Sequence, residues 1–238
     1  MRRARTITIA AGLCLIGAAA PARAEQQMYT YSVVHPFYGE IGTRTDMIDH
    51  GQETFRIVSR LRIAVELLGI VVYRQESDTT EIMHGNRLVS LESVSEKDGE
   101  HLEVHGMAKG DQFVVNSTAG SFTGAATTAP SDPWVLKGTG EGALVYPSTG
   151  RIIQAQVSGG EDETFSVNGA SFSVRHFVVM GENREDVWLD PKGIPVMFRT
   201  DEGGTPIDFV LQNSTAARAI FNASVKHPAP GRLAIGSK

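Results

Sequence analysis

Cysteine is nearly absent from the sequence, whose 238 residues contain only Cys14. This cysteine lies in an apolar N-terminal run that we expect to be removed, which would leave a mature chain without cysteine. Such a chain cannot form a disulfide, a zinc–thiolate site or a cysteine nucleophile. We therefore expect the burial of apolar side chains to supply the stability of the fold.

The N-terminal segment 1–24 has the three parts of a signal peptide. Arginines near the start form its basic part, the apolar run Ile7–Ala20 is too short to span a membrane as a typical helix, and Ala22-Arg23-Ala24 is a small-residue cleavage site. Cleavage after this site would start the mature chain at Glu25 and place it in the periplasm or outside the cell. The Arg2-Arg3 pair leaves twin-arginine export open beside the general secretory route.

Positive charge is also scarce in the predicted mature chain. The segment 1–24 carries four of the 22 basic residues and none of the 27 acidic ones, which leaves 18 basic against 27 acidic residues and a net charge of −9. An acidic protein is poorly suited to nucleic acid or to an anionic membrane surface. We predict no nucleic-acid partner, and we predict that the protein is not an integral membrane protein.

Enzyme signatures are absent as well. The sequence has no Gly-x-Ser-x-Gly elbow, Ser-x-x-Lys, His-Glu-x-x-His or phosphate-binding glycine loop. A triad of distant residues, such as Ser131 and Asp132 with His35 or His176, is left open by the sequence. We predict no catalytic residue, no cofactor and no metal, and we keep an uncharacterised enzyme as the third alternative for the function.

The sequence does contain many short segments with strand character, separated by turn signals. The longest apolar-rich stretch is Thr54–Met83, which we expect to be the centre of the fold. Its first half alternates apolar residues with arginines, as in a strand with one buried face. Leu67–Tyr73 is apolar on both faces around Gly69, where we expect a bend or a bulge. Arg74–Ile82 is predicted to be a strand whose charged side chains lie outside.

About a dozen short strands in one chain predict an all-β fold, because an open flat sheet of that width would expose long edges. We expect an antiparallel meander that forms a barrel or a strongly curved half-open barrel. Asp98-Gly99 and Asn168-Gly169 are hairpin signals of the type I′ kind. The predicted strands outside the central stretch are Met28–His35, Ile41–Asp49, Arg87–Ser95, His101–Met107, Gln112–Ser117, Ser171–Met180, Glu185–Leu189, Ile194–Thr200 and Pro206–Leu211.

The region 120–150 is rich in Gly, Ala, Thr and Pro and has no sustained period. Ser131-Asp132-Pro133-Trp134 has an N-cap residue and a proline at the first turn, so we predict a short helix over Pro133–Lys137. We expect Trp134 to be buried and this helix to plug one end of the barrel. The predicted domain is 25–212, followed by a C-terminal tail, 213–238, that forms a weak helix or is disordered.

Two sets of polar residues could suggest a metal site, but for both we prefer a solvent-exposed position. His101 and His105 would lie about 13 Å apart on one strand, too far to share a zinc ion, so with Glu103 they predict a solvent-exposed face. The acidic clusters are predicted to be exposed turns, since calcium needs six or more oxygen ligands in a shaped loop and no such motif is present. These clusters contain Glu161, Asp162, Glu163, Glu182, Glu185 and Asp186.

Short motifs across the chain resemble a family of exported bacterial proteins known only as a domain of unknown function. The resemblance covers about Tyr29–Leu211. It implies an exported β fold, similar to half-open barrels that hold lipoprotein acyl chains, and it implies no catalytic residue. The matching features are Tyr31-Ser32-Val33, Gly39-Glu40-Ile41-Gly42, Leu68-Gly69-Ile70, Tyr73-Arg74, Gly85-Asn86-Arg87-Leu88, Ser90-Leu91, Asp98-Gly99, Trp134, Pro147-Ser148-Thr149-Gly150 and Val187-Trp188-Leu189 before Gly193.

These observations predict a non-catalytic binding or carrier module for an apolar small molecule or a lipid-like ligand in the cell envelope. The alternative is an envelope structural or assembly protein with a solid core, whose exposed strand edges and tail 213–238 would meet another protein. For the first function, the predicted ligand-binding residues are Trp134, Leu68, Ile70, Val72 and Tyr73.

Overall fold

A computed structural model of the protein describes residues 26–136, 138–167 and 169–226. The predicted signal peptide, Lys137, Asn168 and the tail 227–238 lie outside the described residues. A single 3₁₀ turn, Pro133–Val135, lies between β9 and β10. The strands are β1 Gln26–His35, β2 Gly39–His50, β3 Thr54–Leu67, β4 Ile70–His84, β5 Arg87–Lys97, β6 Glu100–Lys109, β7 Gln112–Ser117, β8 Gly120–Ala125, β9 Ala129–Pro130, β10 Gly140–Val145, β11 Ile152–Val167, β12 Ala170–Met180, β13 Arg184–Leu189, β14 Pro195–Glu202 and β15 Thr205–Leu211, and the helix is α1 Thr215–Lys226.

All fifteen strands belong to one sheet. The sheet runs from β8 back to β1, continues through β15, and then runs back to β9. Neighbouring strands are antiparallel throughout, except that β9 and β10 are parallel. The pairing of β1 with β15 joins two meanders into one wide, curved sheet. This confirms the prediction of an all-β, half-open barrel.

The two edge strands of the sheet, β8 and β9, lie close together without forming a ladder in the described part of the chain. Near β9, the backbone N–H of Thr128 donates to the carbonyl of Ala125 at 3.0 Å. Nearby, the hydroxyl of Ser117 at the end of β7 donates to the carbonyl of Thr149 in the connection between β10 and β11 at 2.8 Å. The barrel is therefore brought together by short local contacts and is not closed by strand pairing.

The stretch predicted to be the centre of the fold is a hairpin of the two long strands β3 and β4. Leu68 and Gly69 have φ values of 54° and 80°, which is the pattern of a two-residue type I′ turn. The expected bend at Gly69 is thus a full chain reversal. Leu68 is 103 % exposed, so the prediction that Leu67–Tyr73 forms an apolar centre is wrong.

Other expectations about turns and faces are confirmed. Asp98 and Gly99 have φ values of 50° and 85° and connect β5 to β6 as a type I′ hairpin. Arg74, Glu76 and Asp78 lie on the outer face of β4, where Asp78 pairs with Arg60 at 2.7 Å and with Arg62 at 2.8 Å, whereas Glu81 of the same strand is buried on the inner face. These pairs are solvent-exposed and contribute little to stability, as is usual for surface ion pairs.

Strand β11 is the main element that the sequence did not predict. It spans 16 residues and pairs with both β10 and β12. Its alternation is interrupted by a bulge between Gly159 and Glu161. The acidic run that begins at Glu161 was expected in a turn and instead lies inside this strand, and Asp186 is buried within β13. The acidic clusters are therefore mostly strand residues, contrary to the prediction.

Apolar side chains fill the inside of the sheet in two clusters. The first lies against β1–β3 and β12–β15, and the second lies against β4–β7 and β10. The first contains Tyr31, Val33, Ile41, Ile63, Val65, Phe177, Val187, Leu189, Phe198, Ile207 and Phe209. The second contains Met83, Leu88, Leu91, Val104, Phe113, Val115 and Val145.

Helix α1 covers part of the outer face of the sheet. Ala217 and Ile220 are fully buried against Trp188, Met197 and neighbouring apolar residues of β12–β15. The predicted weak helix is therefore present, and its apolar side packs on the sheet. Among the described residues, no helix has both the length and the apolar content to cross a membrane.

Candidate functional site

Two adjoining cavities lie inside the curved sheet, and four residues line both of them. The outer chamber has a volume of about 570 Å³ and opens at the end that carries the turns at residues 36–38, 68–69 and 203–204. The inner chamber has a volume of about 210 Å³. The shared lining residues are Leu61, Gln75, Thr200 and Phe209.

The outer chamber has mainly apolar walls. Ile63 and Val65 of β3 and Ile207 of β15 point into it and are themselves nearly buried. Polar groups lie near its rim, where the Tyr73 hydroxyl donates to the side chain of Gln75 at 2.6 Å. The Lys97 ammonium lies 6.0 Å from the centre of the Tyr73 ring. The chamber thus offers a large apolar surface with a few polar groups at fixed positions.

The ligand-binding residues predicted in the β3–β4 hairpin are divided by the structure. Val72 and Tyr73 line the outer chamber. Leu68 and Ile70 do not line it, because they occupy the exposed tip of the hairpin, with exposures of 103 % and 66 %. At the same end of the sheet, Phe37 in the β1–β2 turn is 83 % exposed. Exposed apolar side chains are therefore present at the end where the outer chamber opens.

The inner chamber contains a buried ion-pair network. Arg44 of β2 donates from Nε to Asp46 at 2.8 Å and from Nη2 to Asp132 at 2.6 Å. The same guanidinium donates to the hydroxyl of Ser59 at 3.1 Å. Burial alone lowers the pKa of Arg44, but the two carboxylates outweigh it and raise this pKa well above its usual value. Arg44 is therefore a fixed cation whose charge is already matched.

Trp134 donates two hydrogen bonds to the carboxylates of this network. Its indole Nε1–H donates to Asp46 at 2.9 Å, and its backbone N–H donates to Asp132 at 2.9 Å. Its ring lies 4.6 Å from that of Tyr29. Asp132 is thus the predicted N-cap and Pro133 begins the turn, but the turn covers only Pro133–Val135.

The position of Trp134 differs from the predicted one. Its side chain is half-buried, and it lies inside the sheet at the level of Asp46, in the body of β2. It packs beside the first apolar cluster rather than across a terminal opening. The segment is an internal partition that helps to form the inner chamber, since Ser131, Asp132 and Pro133 also line that cavity.

Glu81 is the most isolated charged residue of the inner chamber. It is 1 % exposed and lies in β4 between Ile57 of β3 and Leu91 of β5. Neither of its carboxyl oxygens has a hydrogen-bond partner among the described residues. Burial raises its pKa well above the ordinary value, and the charge of Asp132 raises it further. Glu81 therefore keeps its proton over a wider pH range than an exposed glutamate.

Hydroxyl groups line the same chamber as this carboxyl. Ser93 and Ser95 of β5 are 3 % and 7 % exposed, and both line the inner chamber. Ser93 shares a hydrogen bond of 2.9 Å with Thr79. The inner chamber is thus lined by hydroxyls and carboxyls, whereas the outer chamber is lined by aliphatic and aromatic groups.

The triad considered from the sequence is not assembled. The Ser131 hydroxyl donates to Glu185 at 3.1 Å, and Asp132 bonds Arg44 and Trp134. His176 instead lies between Glu163 and Asp186, at 3.0 and 2.9 Å.

The predicted exposed face of β6 is confirmed. Its His101 and Glu103 are half-exposed and lie 3.0 Å apart. No group of three or more His, Cys, Asp or Glu side chains in the described part of the chain is arranged to hold a metal ion.

Sequence reasoning missed Arg44, Asp46 and Glu81. A signal for them exists, because Arg44 and Asp46 fall on the same strand face as Ile48, which is fully buried. Glu81 likewise shares a face with Met83, which is 3 % exposed. Charged residues in alternation with apolar ones on one face of a strand indicate a polar site inside a barrel.

The fold and its interior define a half-open β-barrel protein with a two-part internal cavity. The chain belongs to the family described as a domain of unknown function, DUF6134, whose model matches residues 39–212. This confirms the resemblance to an uncharacterised family of β proteins. No curated protein shows a significant match to the sequence.

A solved structure with a similar fold is a beta-barrel-like protein of the domain of unknown function DUF1849 from Brucella abortus. Its TM-score is 0.59 at 14 % sequence identity, and the match covers 80 % of this chain and 97 % of that chain. At this level of identity, the likeness concerns the fold alone.

Proposed function

We propose that the protein is a non-catalytic carrier or binding protein for an apolar or lipid-like ligand in the cell envelope. The observation that supports this function best is the outer chamber, which is open, apolar and about 570 Å³ in volume. Ligand pockets commonly have volumes of roughly 300–1,000 Å³, with mostly apolar walls and a few fixed polar groups. Large or partly open barrels are suited to enclosing such ligands.

The exposed hairpin tip supports the same function. Leu68 combines full exposure with a φ of 54°, a backbone region that favours glycine or asparagine over leucine. Stability alone gives no reason for an apolar side chain there. Together with Ile70 and Phe37, it gives the mouth of the chamber an apolar rim over which a water-insoluble ligand can enter.

The proposed location rests on the sequence. The segment 1–24 has the features of a signal peptide, and the predicted mature chain has no cysteine. A carrier in the periplasm would shield an apolar ligand from water between two membranes. Fractionation of cells that express the full chain, with N-terminal sequencing of the mature protein, tests this proposal. Recovery in the cytoplasm with Met1 intact would contradict it.

Ligand binding is tested most directly on protein purified from its own host. Native mass spectrometry should detect a co-purifying apolar molecule, and the neutral fluorescent probe N-phenyl-1-naphthylamine should bind the emptied protein. Leu61→Trp should reduce probe binding at least about tenfold, because Leu61 lines both chambers and a larger ring would narrow both of them where they meet. Val94→Trp is the matched control, since Val94 is 44 % exposed and points away from the interior.

Two results would count against ligand binding in the chambers. A wild-type protein that carries no ligand and binds no probe would exclude it. Equal loss of binding in Leu61→Trp and Val94→Trp would show that the probe binds outside the chambers.

The alternative function as an envelope assembly partner is favoured by one observation, the exposed apolar turns between β1 and β2 and between β3 and β4. Phe37 and Leu68 would then be contact residues for another protein. Photo-crosslinking from these two positions in intact cells should trap a single defined partner. Crosslinks to lipid alone would contradict this alternative and favour the carrier.

A further inference from the structure

A carrier with a purely apolar cavity has no use for the carboxyl group of Glu81. We propose that the inner chamber binds the neutral, hydrogen-bonding end of an amphiphilic ligand, a hydroxyl or an amide, through Glu81 and the hydroxyls beside it, while the apolar part of the ligand occupies the outer chamber. This inference rests on the proposed carrier function and names the class of ligand.

The isolation of Glu81 is the first reason for this proposal. Buried polar groups are nearly always hydrogen-bonded, and an unpartnered buried carboxyl is costly. Both oxygens of Glu81 lack a partner among the described residues, although Arg44 and several hydroxyls line the same cavity. A protonated carboxyl offers one donor and one acceptor, which together match a hydroxyl or an amide group.

Adjacency of the two chambers is the second reason. Leu61 of β3 and Phe209 of β15 line both cavities, so the chambers meet at these side chains and the ends of one elongated molecule would fall in the two chambers. Glu81 lies on the same face of β4 as Gln75 and Tyr73 of the outer chamber. A ligand that enters at the rim therefore meets apolar walls first and the carboxyl afterwards.

The charge balance of the inner chamber excludes an anionic end. Arg44 is the cationic side chain among the described residues that line it, and Asp46 and Asp132 already match its charge. A phosphate or sulfate would meet the acidic side chains of Glu81, Asp132, Glu182 and Glu185 without a spare cation in the chamber wall. Burying an unpaired charge of this kind is strongly unfavourable.

The test compares two probes with the same ten-carbon chain, 1-decanol and decyl sulfate, as competitors of N-phenyl-1-naphthylamine. Wild-type protein should bind decanol at least about tenfold more tightly than Glu81→Leu does, since one hydrogen bond to a buried polar group accounts for up to about that factor. Glu81→Gln should stay within about threefold of wild type, because its amide keeps a donor and an acceptor.

Two controls isolate the inner chamber. Glu76→Leu removes a half-exposed carboxyl from the outer face of the same strand and should leave decanol affinity unchanged. Decyl sulfate should not distinguish wild type from Glu81→Leu. In infrared difference spectra, the carbonyl band of the protonated Glu81 carboxyl, identified by its absence in Glu81→Gln, should shift when decanol binds.

The failure of this inference can be told apart from the failure of the carrier function. If wild-type protein binds the naphthylamine probe but Glu81→Leu binds decanol as tightly as wild type, the inference is wrong and the carrier function stands. Tighter binding of decyl sulfate than of decanol, or a carbonyl band that decanol leaves unchanged, would also overturn it. If the probe itself does not bind, the carrier function fails first.

Discussion

Two buried carboxyl groups, Glu81 inside the barrel and Asp186 on its outer face, have opposite surroundings. Asp186 accepts from His176 at 2.9 Å and from two nitrogens of Arg184 at 2.8 Å. Burial alone would raise its pKa, but these partners lower it to about 2. Glu81 has no such partner, and its pKa is raised. Burial alone raises the pKa of both groups, and Asp186 differs in having hydrogen-bond and charge partners that outweigh it.

The contrast is between a carboxyl group that stabilises the fold and one whose burial is costly. The outer cluster is fully satisfied, and its histidine stacks on Trp188 at a ring distance of 4.5 Å. Such a cluster stabilises the packing of strands and helix on that side. The inner carboxyl has no hydrogen-bond partner among the described residues and is costly in the folded protein, which is the arrangement expected under the proposed binding role.

The largest effect should come from removing the one satisfied cation of the inner chamber. Arg44→Met leaves Asp46 and Asp132 buried without their partner and should lower the free energy of unfolding by about 3–5 kcal/mol. Urea unfolding measures this change. Arg60→Met, which breaks an exposed ion pair with Asp78, is the control and should cost no more than about 1 kcal/mol. Equal effects would show that the inner network is hydrated.

Breaking the outer cluster should have the next largest effect. Asp186→Ala removes charge-assisted hydrogen bonds to His176 and Arg184, which typically contribute about 1.5–3 kcal/mol each but are partly replaced by water at these half-exposed partners. We expect a net loss of about 1.5–3 kcal/mol in thermal or urea unfolding. A loss below the error of the measurement would mean that the cluster is only a surface ion pair.

Removing the unpartnered carboxyl should have the opposite sign. Glu81→Met replaces a buried polar group by an apolar one of similar size and should raise the free energy of unfolding by about 1–3 kcal/mol. Wild type and variant should be compared after removal of any bound ligand. A destabilised variant with unchanged fold would show that Glu81 has a partner in the protein, and the contrast with Asp186 would disappear.

The two tryptophans allow the same comparison, between a satisfied and an unpartnered group, for hydrogen-bond donors. The indole N–H of Trp134 donates to the buried Asp46, whereas that of Trp188 has no partner among the described residues. Trp134→Phe should therefore cost about 1–2 kcal/mol more than Trp188→Phe, beyond what the lost ring volume explains. The difference between the two unfolding free energies is the measurement, and a reversed order would contradict the assigned hydrogen bond.

The smallest effects should appear as opposite pH dependences. Because Glu81 holds its proton more tightly in the folded state, the folded protein becomes less stable relative to Glu81→Gln as pH rises above about 4.5. The pKa of Asp186 is lowered from 3.8 to about 2, so its contribution is present above pH 3.8 and is lost as pH falls towards 2. Unfolding at several pH values should show both trends, and parallel slopes would contradict them.

The sequence predicts the fold better where the turns use glycine in their usual positions. Asp98-Gly99 is a strong hairpin signal, and its hairpin is present. Leu68-Gly69 makes the same type of turn, but leucine is unusual at a positive φ, so the sequence pattern indicated only a bend. Strand β11 was missed because its bulge at Gly159 and its acidic run interrupt the period of two.

The inner chamber could not be predicted from the sequence, for a different reason. Alternation shows that Arg44 and Asp46 share one face of β2, but it does not show whether that face is the inside of the barrel. Asp132 comes from a segment far along the chain, and only the folded sheet brings it to Arg44. The residues before Trp134 predict its turn, whereas nothing near Trp134 in the sequence indicates its hydrogen-bond partner Asp46.

Strands β8 and β9 are the two ends of the sheet, so the ring of paired strands is open between them. In a closed barrel the strand number and the stagger fix the circumference, and any widening breaks backbone hydrogen bonds. Here β8 and β9 are joined by the short connection 126–128, and the neighbouring contact of Ser117 with Thr149 links β7 to the turn after β10. The circumference on this side is therefore set by a chain connection and by side-chain contacts, and the ladder of strand pairs ends at this opening.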